Sequence, residues 1–443
     1  MVSLARVQRG AEIDGFVVGD HIHSGAMGTI HRVTRDGTTV PMIMKVPRVG
    51  PNEPPEGIIS FETEATVLPA LKGPHVPRCV AVGDLARTPY LVTEWVEGDS
   101  LDRIANADVP QTGAAIADAL HSIHQQDAVH LDVKPANIII ERDGTAVLVD
   151  FGFAHHARYP DLLAEETRFG AGSAPYISPE QILGRRDDPR SDVFALGVVM
   201  YELLTGRFPF GEPDTDVRNR LWLDPLPPCP DQPWLQEIVL RCIEPDPLLR
   251  YQSAAHVAFD LRHPEQVPLT NRAVKASRAG VFGQLRRFMR ARSSYGARLR
   301  HRTVRPSGFP IVMVAVDTMN LDDRRHPALQ RVAGQILSLS AEFRVICISV
   351  VPADPGAESN AQLEHLIRLR HWTEPLRLPP QRLSLHVLAS ANPAEALLEF
   401  ARLNNVDLIV LGAPGPRDTR GWWRSVASTV TANAHCSVHV VRV

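Results

Sequence analysis

Cysteine is scarce and scattered in this chain. Its five cysteines, Cys79, Cys229, Cys242, Cys347 and Cys436, form no C-x-x-C pair in 443 residues. That spacing argues against thiolate zinc sites and against a disulfide framework, and it favours a reducing compartment. No segment approaches 18 uninterrupted apolar residues, so no transmembrane helix is expected. The opening M-V-S-L-A-R-V-Q-R-G lacks the apolar run of a signal peptide, and a cytoplasmic location is the expectation. Tandem repeats and low-complexity runs are missing too. The sharpest absence is local. From Gln266 through Val316 there is no Asp or Glu, while the same stretch carries eleven Lys and Arg between Arg272 and Arg305. The whole chain has a formal net charge of −3, so the remainder carries −14. An acidic body bears a basic strap. Within the strap Val281, Phe282, Leu285, Phe288 and Met289 share one helical face, with Arg286, Arg287 and Arg290 away from its centre. No interleaved aromatic platform accompanies the charge, so nucleic acid is not an expected partner.

Against these absences stands one dense run of polar residues. Val129–Asn137 reads V-H-L-D-V-K-P-A-N, and Asp150-Phe151-Gly152 follows. Asp132, Lys134, Asn137 and Asp150 have the spacing needed to handle a hydroxyl nucleophile, a phosphate and magnesium. Phosphoryl transfer is mostly positioning and charge neutralisation, which is what such a set supplies. Upstream, Asp20–His31 reads D-H-I-H-S-G-A-M-G-T-I-H. Gly25 and Gly28 there let backbone N–H groups approach phosphate without side-chain obstruction. Met42–Lys45, M-I-M-K, reads as a strand ending in a lysine, and Phe61–Leu71 has helical apolar spacing with Glu64 on it. Each piece alone is weak: a G-x-x-G is usually a turn, and a lysine in an apolar strand is often an edge residue. Their common order and spacing carry the weight. His121, His124, His130, His155 and His156 cluster in sequence, but His130 belongs to the V-H-L-D run and His121 and His124 to the helix before it, so a metal site is not expected from them.

The ordered set resembles the protein kinases, closest to bacterial Ser/Thr kinases of the eukaryotic-like type, over roughly residues 13–263. The resemblance implies a bilobal fold with ATP between the lobes under Gly25–Gly28. It implies Lys45, oriented by Glu64, on the α/β-phosphates. Asp132 would orient the substrate hydroxyl, Lys134 would neutralise the γ-phosphoryl, and Asn137 and Asp150 would hold Mg²⁺ or Mn²⁺. Thr93 matches the gatekeeper, with Glu94–Val96 as hinge backbone for adenine. Gly172–Glu180, G-S-A-P-Y-I-S-P-E, resembles the end of the activation segment. Asp192 would brace the catalytic loop, and Arg250 would pair with Glu180. Two positions depart from the family pattern. Leu131 replaces an arginine that contacts phosphorylated activation loops in many members, so loop phosphorylation loses one means of ordering the site. His23 replaces the first loop glycine, with slower nucleotide handling expected.

After the strap the rhythm changes. Ile311–Asp317, Phe343–Val350, Leu383–Leu388, Asp407–Gly412 and Ser437–Val443 read as strands. Arg325–Ser340, Asn360–Arg370, Asn392–Asn404 and Trp422–Ala434 read as helices, Asn392-Pro393 supplying a cap and a first-turn proline. Such alternation predicts a doubly wound parallel sheet with ligands outside the C-terminal strand ends. Residues 309–443 resemble the universal stress protein family, through the strand to Asp317, N-P-A-E-A-L-L-E-F-A, V-D-L-I-V-L-G and the ending A-H-C-S-V-H-V-V-R-V. In nucleotide-binding members that resemblance would put Asp317 near adenine and Gly412, Gly415 and Ser425 on phosphate. Arg424-Ser425 replaces the usual small pair in a loop one residue shorter, and a subunit-pairing domain without nucleotide is the open alternative. The closing strand Val438–Val443, apolar on both faces, is expected to seek a partner edge and so to form a homodimer.

The expectation is therefore an ATP-dependent Ser/Thr kinase at 13–263, a basic linker with an amphipathic helix at 264–308, and a stress-protein-like regulatory or pairing domain at 309–443. A catalytically silent nucleotide-binding scaffold is the competing class. The linker helix is expected to dock on the acidic body: four arginines are worth about 4 kcal/mol at an anionic surface, a Kd near ~1 mM, too weak for more than passing membrane contact.

Overall fold

The computed structural model describes residues 7–442, apart from 26–27, 49–54, 85–87, 160, 162, 164–172, 212–222, 278–310, 320–324, 339–342, 353–357, 379–382, 405 and 414–421. Two compact units divide the chain: Met1–Arg262 with Leu269–Ser307, and His263–Pro268 with Gly308–Val443.

The first unit opens with an antiparallel sheet. Its strands are β1 (Glu12–Ile13), β2 (Phe16–Ser24), β3 (Gly28–Arg35), β4 (Met42–Pro47), β5 (Cys79–Val82) and β6 (Leu91–Glu94), in the order β1-β2-β3-β4-β6-β5. Alternation sets its inner face: Phe16, Val18, Val33, Met42, Met44, Tyr90 and Val92 form one buried cluster. Helix α1 (Pro55–Val67) follows β4. Pro69 cannot donate to a helical carbonyl, and Leu68–Ala70 turns as a 3₁₀ coil.

The rest of this unit is largely helical. Helix α2 (Val109–His124) starts at Asp108, whose side chain accepts from the Gln111 N–H, with Pro110 in its first turn. After the two-residue β7 (Asp99–Ser100), short β8 (Ala128–Val129), β9 (Ile138–Ile140), β10 (Ala146–Leu148) and β11 (His155–His156) carry the V-H-L-D and D-F-G runs between them. Among the described residues, helices α3 (Pro179–Ile182), α4 (Arg190–Thr205), α5 (Pro233–Cys242) and α6 (Ala254–Arg262) follow. Helix α4 is buried from Arg190 through Tyr201, which explains why its sequence lacks a polar stripe.

The start of the strap packs on this unit. Arg272 pairs with Glu237 at 3.1 Å and Glu244 at 2.9 Å, and Lys275 pairs with Asp224 at 2.7 Å. The predicted apolar face Val281–Met289 lies outside the described residues.

The second unit is a five-stranded, wholly parallel sheet of β12 (Ile311–Ala315), β13 (Arg344–Val351), β14 (Leu383–Ala389), β15 (Leu408–Ala413) and β16 (Ser437–Arg442), in the order β14-β13-β12-β15-β16. Helices α7 (Arg325–Ser338), α8 (Glu358–Thr373), α9 (Pro393–Leu403) and α10 (Trp422–Asn433) alternate with the strands. The doubly wound parallel sheet expected from the strand–helix alternation is the fold observed. Strand order reverses between β12 and β15, which defines the crevice at their C-terminal ends. One expectation needs correction. The last strand is not apolar on both faces: Ser437 and His439 are exposed, while Val438 and Val440 are half-buried and Val441 is buried. Period-two alternation puts His439 and Val441 on one face, so that face is mixed.

Candidate active site

Lys45 sits on β4, and its Nζ donates to Glu64 Oε2 at 2.5 Å and Asp150 Oδ1 at 2.8 Å. Glu64 also accepts from the Phe151 N–H through Oε1 at 3.2 Å. Burial alone would lower the Lys45 pKa, but the two carboxylates outweigh it and hold the ammonium charged. Burial pushes the Glu64 carboxyl up, with Asp150 adding to the rise against Lys45. Burial opposes ionisation of Asp150 too, yet Lys45, then Lys134 and His130, hold it below the usual carboxylate range. Two carboxylates around one ammonium leave a local excess of negative charge that a cation beside Asp150 would relieve.

The backbone of the V-H-L-D run is over-determined. Asp192 is 0 % exposed. Its Oδ2 accepts from the His130 N–H and from His124 Nε2, and its Oδ1 from the Leu131 N–H, each at 2.8 Å. Leu131 has φ 63° and Asp150 φ 64°, left-handed conformations that bulky residues adopt only where neighbours enforce them. Gln181 helps enforce the first, donating Nε2 to the Leu131 carbonyl at 2.8 Å. The Asp132 N–H donates to His130 Nδ1, so the proton on His130 Nε2 faces the Val149 carbonyl at 3.2 Å.

Asp132 is 2 % exposed and is gripped from three sides. Lys134 Nζ and Asn137 Nδ2 donate to its Oδ2 at 2.8 and 2.9 Å, and the Ser173 N–H donates to its Oδ1 at 2.7 Å. Lys134 Nζ also donates to Ser173 Oγ at 2.8 Å. Asn137 spends its amide N–H groups on Asp132, the second one reaching the Asp132 carbonyl at 3.0 Å. Its Oδ1 is thus the atom left for a cation. With the Asp150 carboxylate, that makes an all-oxygen donor set, the kind a hard divalent ion takes.

Gly25 and Gly28 flank the turn between β2 and β3. The Gly25 N–H donates to the Gly28 carbonyl at 3.0 Å, and a Cβ on Gly28 would stand 2.3 Å from the Val46 carbonyl oxygen, so only glycine fits. His23 Nε2 lies 3.5 Å from where a Gly25 Cβ would be; the imidazole that replaces the first glycine packs over the second. Thr93 is buried on β6, Glu94 ends that strand beside Arg78, and Val96 is half-buried just beyond. Gly152, in the D-F-G turn, passes so close to α1 that a Cβ would meet Ser60 Oγ at 2.1 Å.

Lys45, Glu64 and Asp150 are therefore brought together, as are Asp132, Lys134 and Asn137, and the Lys134 charge acts on Asp150. Glu180 and Arg250 meet as a fully buried bidentate pair at 2.6 and 2.8 Å. Thr167, the hydroxyl residue just ahead of Gly172–Glu180 and with Ser173 the best placed in that segment for phosphorylation, lies outside the described residues. Some contributors escaped the sequence reading. Gln181 had a signal, because Ser178–Gln181 is S-x-x-Q and forms a reciprocal capping box. His124 had none beyond its helix.

In the second unit Asp317 follows β12, half-buried, and accepts from the Met319 N–H. Gly412 lies inside β15, opposite Val441. Gly415 and the side chain of Ser425 lie outside the described residues. Thr318 Oγ1 is 2.8 Å from both Ser349 Oγ and His365 Nδ1, a buried polar knot at the strand ends that spacing did not foretell. His263, Glu265 and His386 come within 4.8 Å of one another. The hydrogen bonds there work against a metal. Gln266 accepts from the Leu385 N–H and donates to the Leu385 carbonyl, which fixes its amide and makes His386 Nδ1 an acceptor. The His386 proton is then on Nε2, where a ligand would need a lone pair.

Comparison with known proteins agrees with this geometry. Residues 16–258 match the model of the protein kinase domain, and residues 308–442 that of the universal stress protein family. Serine/threonine-protein kinase PknB of Mycolicibacterium smegmatis is 34% identical over 280 residues, covering 58% of this chain and 44% of that protein. PknB of Mycobacterium leprae is 33% identical over 270 residues, covering 56% of this chain and 42% of that protein. The chain thus spans less than half the length of these relatives.

Proposed function

The chain belongs to the protein kinase family, and from that premise we propose that it transfers the γ-phosphoryl of ATP to Ser or Thr hydroxyls of proteins. The observation that carries this is the simultaneous contact of Lys45 Nζ with Glu64 and Asp150. It is the arrangement in which a cation for the α/β-phosphates and a carboxylate for the metal stand side by side. Asn137 Oδ1 and Asp150 would hold Mg²⁺ or Mn²⁺, which would neutralise charge on the phosphates. Asp132, fixed by Lys134, Asn137 and Ser173, orients the substrate hydroxyl. Lys134 lies between that carboxylate and Ser173, placed to neutralise charge on the transferred group. Thr93, Glu94 and Val96 receive adenine, and Gly25 and Gly28 the phosphates.

We take residues 13–263 as the transferring domain, 264–308 as a basic connector and 309–443 as a regulatory or pairing domain. The edge strand β16, bonded to β15 on one side, supports a homodimer through that edge. Among the described residues no helix is long and apolar enough to cross a membrane.

The test is incorporation of labelled phosphate from ATP with Mg²⁺ or Mn²⁺ into the protein itself and into generic protein substrates. Wild type should transfer, and Asp132→Asn should lose at least ~100-fold. Wild type without transfer to any acceptor would leave a nucleotide-binding scaffold in its place.

A further inference from the structure

The segment that follows Asp150 is tied down at a point the transfer chemistry does not use. Arg186 lies in the loop after α3, and its Nε donates to Asp161 Oδ1 and Oδ2 at 3.0 and 2.8 Å. Its Nη2 donates to the Phe153 carbonyl at 2.9 Å. His155 Nδ1 stands 3.5 Å from Asp161 Oδ2. The pair is well shielded, with Arg186 6 % and Asp161 18 % exposed at the side chain. Burial alone would raise the Asp161 carboxyl, but His155 and Arg186 outweigh it and hold it below the usual range. Leu163, two residues further, is buried at 1 %. One guanidinium thus joins three stretches: the turn just past Asp150–Gly152, the segment at Asp161, and the loop after α3.

This matters because of what stands at Leu131. A phosphate orders such a segment by finding a partner, most often a cation. Leu131 is apolar and 3 % exposed, so the catalytic loop offers none there. The anion and cation that such ordering requires are instead both encoded in the chain, as Asp161 and Arg186. The contact is of the kind a phosphorylated residue and its arginine would make: a charge-assisted hydrogen bond, shared by one Nε–H between both carboxylate oxygens and shielded from water, beside the Asp150–Gly152 turn.

We propose that Asp161 and Arg186 form a built-in latch, a positioning pair that holds the Asp150–Gly152 turn and residues 153–159 after it in the transfer-competent arrangement without phosphorylation. The proposal rests on the transfer function inferred above, and its test is chosen to separate the two.

The experiment uses the full chain after phosphatase treatment. It compares wild type with Asp161→Asn, Arg186→Met, the conservative Arg186→Lys, and the swap Asp161→Arg with Arg186→Asp. Two readouts are taken: kcat and KM for ATP in phosphate transfer, and amide hydrogen exchange of the peptide covering 151–159. Treated wild type should keep its activity. Asp161→Asn and Arg186→Met should lower kcat by at least about tenfold with KM for ATP within about threefold, the pattern of a lost positioning contact rather than lost binding. Exchange over 151–159 should quicken at least about tenfold in both, and Arg186→Lys or the swap should recover part of the protection and of kcat. Unchanged exchange in the two single variants overturns the latch, as does a treated wild type whose activity falls more than about tenfold relative to untreated protein. Loss of protection that neither Arg186→Lys nor the swap recovers also overturns it, since any structural damage would then explain the result. If wild type transfers no phosphate at all, the function fails separately, and the exchange readout alone still decides the latch.

Discussion

Substituting Asp192 by Asn is the most searching single test of the catalytic-loop geometry. Three donors converge on this carboxylate, the N–H groups of His130 and Leu131 and the His124 ring, all at 2.8 Å and all out of water. Asparagine keeps one acceptor oxygen and puts an NH₂ where the other was. At least one buried donor then faces another donor. A hydrogen bond to a charged group is worth about 1.5–3 kcal/mol, and an orphaned buried donor costs about 1–3 kcal/mol, so the change should cost roughly 3–5 kcal/mol. The Asp192–Leu131 bond also offsets the left-handed backbone of Leu131, which costs a further ~1 kcal/mol. Once released, Leu131 relaxes and carries Asp132 with it. If about 2.7 kcal/mol of the loss is felt in the transition state, kcat falls roughly 100-fold. KM for ATP should change little, because Lys45 and the phosphate loop are untouched. The melting temperature of the first unit should drop by roughly 10 °C. Calorimetry and steady-state transfer on the full chain measure both. An Asp192→Asn protein melting within about 2 °C of wild type, with kcat within about threefold, would refute the view that this carboxylate sets the loop.

The difference between what spacing revealed and what it hid has a physical pattern. Regular elements were legible because burial imposes a period: the second unit's strands and helices fell within a few residues of their expected limits, and Asn392 caps α9 by accepting from the Glu395 N–H. Helix α1 was less so. Its expected range begins at Phe61, but the helix starts at Pro55, with Ile58 and Ile59 ahead of Phe61, and Pro69 turns its expected end into 3₁₀ coil. The charged groups of the site were legible because they recur at fixed separations along one ordered set. Contacts between side chains and partners in distant loops were not. Asp161 and Arg186 stand on segments whose approach depends on the fold, and no local pattern marks either. The Thr318–Ser349–His365 knot joins three elements through hydroxyls that read as ordinary polar residues. The sequence shows at Leu131 the cation that is missing, whereas its left-handed backbone, set by Asp192 and Gln181, is visible only in three dimensions.

Other outcomes follow from the same contacts. Lys45→Ala should cost at least ~100-fold in transfer, since it removes the cation and leaves Glu64 and Asp150 facing each other; retention of more than about a tenth of the activity in a labelled-phosphate assay would contradict it. Thr167→Ala should keep most activity, whereas Ser173→Ala loses the Lys134 contact at 2.8 Å and should slow transfer about tenfold. A dead Thr167→Ala restored by an acidic residue would reverse that order. Truncation after Ser437 removes the β16 edge and should convert a dimer to a monomer in sedimentation; unchanged mass removes the claim. The last outcome is a pH dependence in the second unit. Asp407 Oδ2 accepts from the Ile311 N–H at 2.7 Å, yet burial pushes its carboxyl up from 3.8 to about 6. A raised folded pKa means the folded state holds the proton more tightly than the unfolded chain. The contribution is fully present below the unfolded value and is lost as pH rises through the folded one. At pH 7 the ionised group therefore weakens the unit, by at most roughly 3 kcal/mol. Melting of the second unit should rise as pH falls from about 7 to 4. Asp407→Asn, which keeps an acceptor for Ile311 without the charge, should be the more stable protein at neutral pH and should lose that part of the slope. A variant whose melting temperature follows the wild-type slope through this window would show that Asp407 is not the group responsible.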